Sequence, residues 1–260
     1  MTAIKARFGP GVLVLCLSIL LVGCVSQRSG GGGAQEINVQ KALDDHVKLA
    51  IAYIENRNRE SARHHLRKAF ELDKNSAKAT AVQALLYQVE GEADLAEENF
   101  KRALRLDPEF SQARNNYASF LYMHGRYEEA FEEFTRVSRD LDYDNRDLAL
   151  LNMGRTALKM GNKERAKAAF EHAYNLNPRM PTLLLELAQI SFEEEDYAQA
   201  KRYLDRYGEL ARQSAQSLLL NIKIERIFGN KDKEAGHAMA LKNRFPYSRE
   251  YLEYKREMSN

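Results

Sequence analysis

AKATAVQALLYQVEGEADLAEENFKRALRLDPEF, residues 77–110, carries the spacing that decides the fold. Counted from Ala77 as position 1, Tyr87 falls at 11, Ala96 at 20, Phe100 at 24, Ala103 at 27 and Pro108 at 32. The same phase returns from Asp147, with Gly154 at 8, Gly161 at 15, Ala166 at 20, Phe170 at 24, Ala173 at 27 and Pro178 at 32. Partial copies surround these two. Leu43 opens one with Ala50 at 8, Tyr53 at 11, Ala62 at 20 and Ala69 at 27. Ser111 opens one with Ala118 at 8, Gly125 at 15, Ala130 at 20 and Phe134 at 24. Pro181 opens one with Ala188 at 8, Tyr197 at 17, Ala200 at 20 and Leu204 at 24. The weakest begins near Ala215, with Gly229 at 15 and Pro246 at 32 but Glu234 at 20 and Ala238 at 24. A 34-residue phase that holds over six units is a repeat architecture, not one helical bundle.

The chemistry at these positions is that of the tetratricopeptide (TPR) unit, a pair of antiparallel helices. Two helices cross closely only where side chains are small, hence Ala or Gly at 8 and Ala at 20. Large residues at 11 and 24 fill the space beside them. Gly near 15 and Pro near 32 end helices, because Gly accepts left-handed backbone and Pro lacks the N–H. One unit cannot bury its own apolar face, so stacking supplies the core. The expected fold is all-α, a right-handed TPR superhelix with repeats near 43–76, 77–110, 111–144, 147–180, 181–214 and 215–248, and a cap over 249–260. No strands are expected. Asn145 and Arg146 are two extra residues after Leu141-Asp142-Tyr143-Asp144, and they predict a longer turn there.

In front of the repeats, residues 1–23 have the parts of a secretory signal. Lys5 and Arg7 form a basic start, and Val12 to Val22 is apolar apart from Ser18. That run is shorter than the ~20 residues a transmembrane helix needs. Leu21-Val22-Gly23-Cys24 resembles the bacterial lipobox, in which the cysteine sulfur takes a diacylglyceryl group before the chain is cut ahead of it. Cys24 is the expected lipid site. By the sorting rule of that class, Val25 rather than Asp after the cysteine sends the protein to the outer membrane. Residues 24–40, with Ser29-Gly30-Gly31-Gly32-Gly33, read as a flexible linker spanning roughly 20–24 Å.

Composition excludes several functions. Removal of 1–23 takes Lys5 and Arg7 and no acid, so 37 of the 39 basic residues remain against 37 acidic ones. A neutral mature chain lacks the basic footprint of a nucleic-acid binder. Of the two cysteines, Cys16 lies in the leader and Cys24 carries the lipid, which leaves no thiol for disulfide or metal. The six histidines show no metal-ligand spacing, and His64 and His65 point about 100° apart on a helix. Glu193-Glu194-Glu195-Asp196 sits at a helix–helix turn and reads as solvated rather than as a cation site. There is no P-loop, no Gly-x-Ser-x-Gly and no dinucleotide fingerprint, so no enzyme and no cofactor beyond the N-terminal acyl lipid are expected.

In a TPR stack, positions 2, 5, 9 and 12 of each first helix line the concave side. The first two units place Val47, Ile51, Ile54, Ala81 and Leu85 there. Such an apolar strip suits an amphipathic helix laid in a groove. The alternatives to an open strip are that the segment Glu36–Ala42 covers it or that tight curvature of the superhelix buries it.

Lipobox, Gly-rich linker and six repeats in 260 residues resemble the type IV pilus biogenesis/stability lipoproteins, the PilF/PilW-type pilotins. The resemblance covers the whole chain. It is carried by Leu21-Val22-Gly23-Cys24, Asn115-Asn116-Tyr117-Ala118, Gly125-Arg126-Tyr127 with Ala130, and Tyr174-Asn175-Leu176-Asn177-Pro178. It implies a protein that binds the pilus secretin subunit in the periplasm and travels with it to the outer membrane through the lipoprotein-sorting machinery. There it permits assembly of the secretin ring. The other function this layout fits is a lipidated TPR scaffold for barrel assembly or cell-wall synthesis.

Overall fold

The computed structural model describes residues 32–259, with side chains from Asn38 onward, and among these residues every element is a helix. The first four units hold α1 (Gly32–Glu55) and α2 (Arg59–Leu72), α3 (Ala77–Glu90) and α4 (Ala93–Leu106), α5 (Ser111–Met123) and α6 (Tyr127–Ser138), and α7 (Arg146–Lys159) and α8 (Lys163–Leu176). Then come α9 (Pro181–Glu193) and α10 (Tyr197–Leu210), α11 (Ala215–Ile227) and α12 (Lys231–Arg244), and the single α13 (Arg249–Ser259). Each first helix packs on the second helix of its own unit, and the second helices α2, α4, α6, α8 and α10 pack on the next first helix. The first helices also touch one another, α1 with α3, α3 with α5, α5 with α7, α9 with α11 and α11 with α13, so they form a row along one side.

The small positions lie where helices cross. Ala50, Ala62, Ala96, Ala118, Ala130, Ala166, Ala188 and Ala200 are fully buried, and Phe100, Phe134 and Phe170 fill the space beside them. In the fourth unit glycine stands at position 8 in place of alanine. A Cβ on Gly154 would stand 2.3 Å from the Phe170 ring, so no larger residue fits. Four of the turns between paired helices carry glycine with φ of +73 to +84°, and in the first and fifth units Arg57 (φ 57°) and Glu195 (φ 65°) occupy the same left-handed place. The turn geometry is therefore kept even where the residue that favours it is missing.

The sixth unit packs by a reversed rule. Ile222 is large and fully buried at position 8, and the facing α12 offers Ala238 with Leu241. The volumes are exchanged across the crossing rather than lost, which keeps the space filled. This is why a unit with few of the usual residues still stacks.

Two junctions refine the expected boundaries. The longer turn after α6 is present: Asp140 accepts from the backbone N–H of Asp142 and from the Ser111 hydroxyl, and Arg146 donates to the Ser138 carbonyl. At the front, α1 reaches back to Gly32, so the expected linker is helical over residues 32–40. Leu43, Val47 and Ala50 anchor this helix in the core. Once a helix is nucleated, each further residue adds a hydrogen bond for little cost, and Ala34-Gln35-Glu36 are good helix formers. The leader 1–23, Cys24, Val25 and the rest of the linker to Gly31 lie outside the described residues, as does Asn260.

Candidate partner-binding face

The row of first helices is the candidate face, and its character changes along its length. At the first two units, the five residues expected to form an open apolar strip are mostly drawn into the core. Val47 and Ala81 are buried at 7% and 3% exposure. Val47 shares a cluster with Ala79, Val82 and Leu86 of α3, so the contact between neighbouring first helices consumes it. Ile51 and Ile54 pack half-buried on that cluster, and Leu85 packs half-buried on the next. The part of the strip that meets solvent is therefore Ile51, Ile54 and Leu85. Glu36–Ala42 continues α1 in line and does not fold back over them. Beside the strip, Lys78 Nζ lies 2.8 Å from Asp44 Oδ1. That hydrogen bond holds the Asp44 carboxyl below the usual carboxylate range, against the opposing effect of burial.

Between α5 and α7 the face opens into a cavity of about 270 Å³ lined by Ser119, Tyr122, Met123, Phe134, Asn152 and Arg155. Met123 is 59% exposed and Arg155 is held by Glu186 at 2.8 Å. Asn115 Oδ1, on α5, is buried without a hydrogen-bond partner among the described residues. At the far end, α9, α11 and α13 enclose a space of about 350 Å³ whose walls include Phe192, Leu219, Lys223 and Glu253. There Lys223 is gripped by Glu253 at 2.6 Å and Glu257 at 3.1 Å. Burial pushes the Lys223 pKa down, but the two carboxylates outweigh it and the net direction is upward. The face thus grades from aliphatic, through mixed, to ionic.

Three features escape linear reading. His46 Nδ1 and His65 Nδ1 stand 3.0 Å apart, one from each helix of the first unit, with Tyr53 stacked on His65. The converging pair is His46 with His65, not the neighbours His64 and His65. Glu97 joins three elements by accepting from Tyr117 at 3.0 Å and pairing with Arg126 and Lys101 at 2.8 Å. Burial raises its pKa, yet these bonds win and bring it down to about 2. In the sixth unit, Glu225 occupies position 11 fully buried, with Asn230 Nδ2 donating at 2.7 Å and Lys201 Nζ 3.4 Å away. Spacing alone hides all three, because apart from Lys101, four residues from Glu97, each partner sits 5 to 29 residues away.

The acidic turn Glu193–Asp196 is a structural element. Glu193 pairs with Lys163, Glu194 pairs with Lys167 at 2.6 Å, and Asp196 caps α10 through the Gln199 N–H. Among the described residues no group of three or more His, Cys, Asp or Glu converges as a metal site, and no helix is long and apolar enough to cross a membrane.

Models of the tetratricopeptide repeat match residues 46–76, 81–142 and 157–222. The type IV pilus assembly protein PilF of Pseudomonas aeruginosa is 35% identical over 245 residues, covering 94% of this chain and 97% of that protein. The solved structure of P. aeruginosa PilF superposes with a TM-score of 0.80 at 36% identity, covering 85% of this chain and 99% of the other. PilW, described as a widely conserved type IV pilus biogenesis factor, superposes with a TM-score of 0.69 at 27% identity over 82% of this chain and 97% of its own.

Proposed function

This chain belongs to the PilF/PilW family of type IV pilus assembly proteins, non-enzymatic TPR scaffolds, and from that premise we propose that it is an outer-membrane lipoprotein pilotin. It binds the secretin subunit in the periplasm and escorts it, through the lipoprotein-sorting machinery, to the membrane where the secretin ring assembles. The observation that carries this reading is the identity spanning 94% of this chain and 97% of PilF, so the whole architecture is shared rather than one repeat.

The mechanism is physical coupling. Acyl chains on Cys24 hold the protein at the membrane, each buried methylene adding about 0.8 kcal/mol. The face of first helices holds the secretin segment, and the tether raises its effective concentration at the bilayer. The solvent-reaching aliphatic edge, Ile51, Ile54 and Leu85, supplies the desolvation at the first two units. Val47 and Ala81 support that edge from beneath. No group performs chemistry on the partner.

The test is Ile51→Glu combined with Leu85→Glu. Both side chains are only half-buried, so the fold survives and circular dichroism stays helical. Capture of the secretin subunit from envelope extract should fall by about tenfold or more, the effect of charge placed in an apolar contact. A folded double variant that captures the secretin normally would remove the edge from the mechanism.

A further inference from the structure

We propose that α13 is the first helix of a seventh unit whose second helix comes from another polypeptide, a carboxylate-rich amphipathic helix. The repeat phase places Arg249 at position 1 of that unit. The side of a first helix formed by positions 4, 7, 8 and 11 is where Ala50, Ala84, Ala118, Gly154 and Ala188 receive the second helices of their units at position 8. On α13 these positions are Leu252, Lys255, Arg256 and Ser259, and the same four residues line an open depression of about 510 Å³. Leu252 is 50% exposed. The opposite side of α13 is occupied: Tyr251 and Tyr254 pack on the core of α11 and α12, and Glu253 and Glu257 bind Lys223 and Arg226. Among the described residues, no helix covers the 4-7-8-11 side.

Charge identifies the occupant. Elsewhere in this chain a cation on a first helix is answered by a carboxylate on its second helix: Arg114 of α5 by Glu133 of α6 at 2.7 Å, and Arg226 of α11 by Glu234 of α12 at 2.7 Å. Lys255 and Arg256 make no ion pair among the described residues; Arg256 Nε reaches only the Leu252 carbonyl, and Lys255 lies 5.9 Å from the Tyr251 ring. The carboxylates of α13 that form ion pairs do so with α11. A large residue at position 8 does not bar a second helix, since Ile222 holds that place in the sixth unit and packs in one cluster with Leu241 and Ala238 of α12. The incoming helix therefore presents an apolar stripe toward Leu252 and Asp or Glu toward Lys255 and Arg256.

The probe is α6 itself as a peptide, residues 127–138, an acidic second helix with Glu128, Glu129, Glu132 and Glu133, against a version with those four changed to Lys. Binding to the full mature chain is read by fluorescence anisotropy. The acidic peptide should bind saturably and the basic one should not. K255E with R256E should weaken the acidic peptide by about tenfold and admit the basic peptide, the exchange expected of a charge-matched contact. Equal binding of the two peptides, no saturable binding of the acidic one, or insensitivity to K255E with R256E would overturn the proposal. So would binding to phosphatidylglycerol vesicles that needs Lys255 and Arg256 while the acidic peptide fails to bind, since the side would then be a lipid contact.

Discussion

Gly154 and Phe170 define how close two helices of one unit come. A methyl group at 154 would enter the ring at 2.3 Å. Overpacking costs about 1–3 kcal/mol, more than the roughly 0.5–1 kcal/mol that Ala gains over Gly within a helix. Gly154→Ala should therefore lower the melting temperature, and a variant as stable as the parent would show that Phe170 moves aside freely. His65 gives a pH signature. Burial first, then the charges of His46 and His64, hold its pKa below 6.5. The folded state thus binds a proton less readily than the unfolded chain. Its contribution to stability is intact above pH 6.5 and is lost as pH falls through the lowered folded value. Thermal melts should show stability declining on mild acidification, and His65→Gln should flatten part of that slope. His237, also depressed, chiefly by burial, keeps the remainder. An unchanged slope in the His65 variant would assign the effect elsewhere. At this level the sequence reveals what repeats. Ala62, Ala96 and Phe100 are legible because each recurs in phase, whereas the His46–His65 contact is private to one unit and leaves no periodic trace.

Helix pairs inherit a common plan but reach it by different side chains. The weak sixth unit was visible as Glu234 at position 20 and Ala238 at 24, yet the reversed packing of Ile222 and the buried Glu225 required coordinates. A carboxylate with no exposed surface depends on its partners. Lys201→Met would leave Glu225 to Asn230 alone. Removing one member of a buried pair costs about 3–5 kcal/mol, and the lower end applies because Lys201 is itself 21% exposed. Hydrogen exchange should localise the loss to α10–α12, and undiminished protection there would show that water already satisfies Glu225. The front helix shows the opposite limit of legibility. Glycines at 30–33 read as a linker, but packing at Leu43 and Val47 carries α1 back to Gly32. Tertiary anchoring overrode local propensity.

Across the whole molecule, the 34-residue phase made the solenoid readable from the sequence. The strip was less readable. Positions 5 and 9 lie on the side of the first helices, but whether they meet solvent depends on how closely α1 approaches α3, and that distance is set between units. The ion-paired far end, with Lys223 between Glu253 and Glu257, likewise needed α13 in place. These differences make the face graded, with an aliphatic end for desolvation and a charged end that resists it. In the proposed mechanism a tether at one terminus and a docking face along the stack divide transport from recognition, so that removing one should leave the other.

That proposed division is tested most directly by Cys24→Ala, which removes the proposed acyl site and leaves every described side chain untouched. Secretin multimers in outer-membrane fractions are measured in cells carrying that variant. The expected result is a folded protein that still captures the secretin subunit while multimers in the outer membrane are lost or misplaced. Secretin rings at normal abundance in the outer membrane would contradict it.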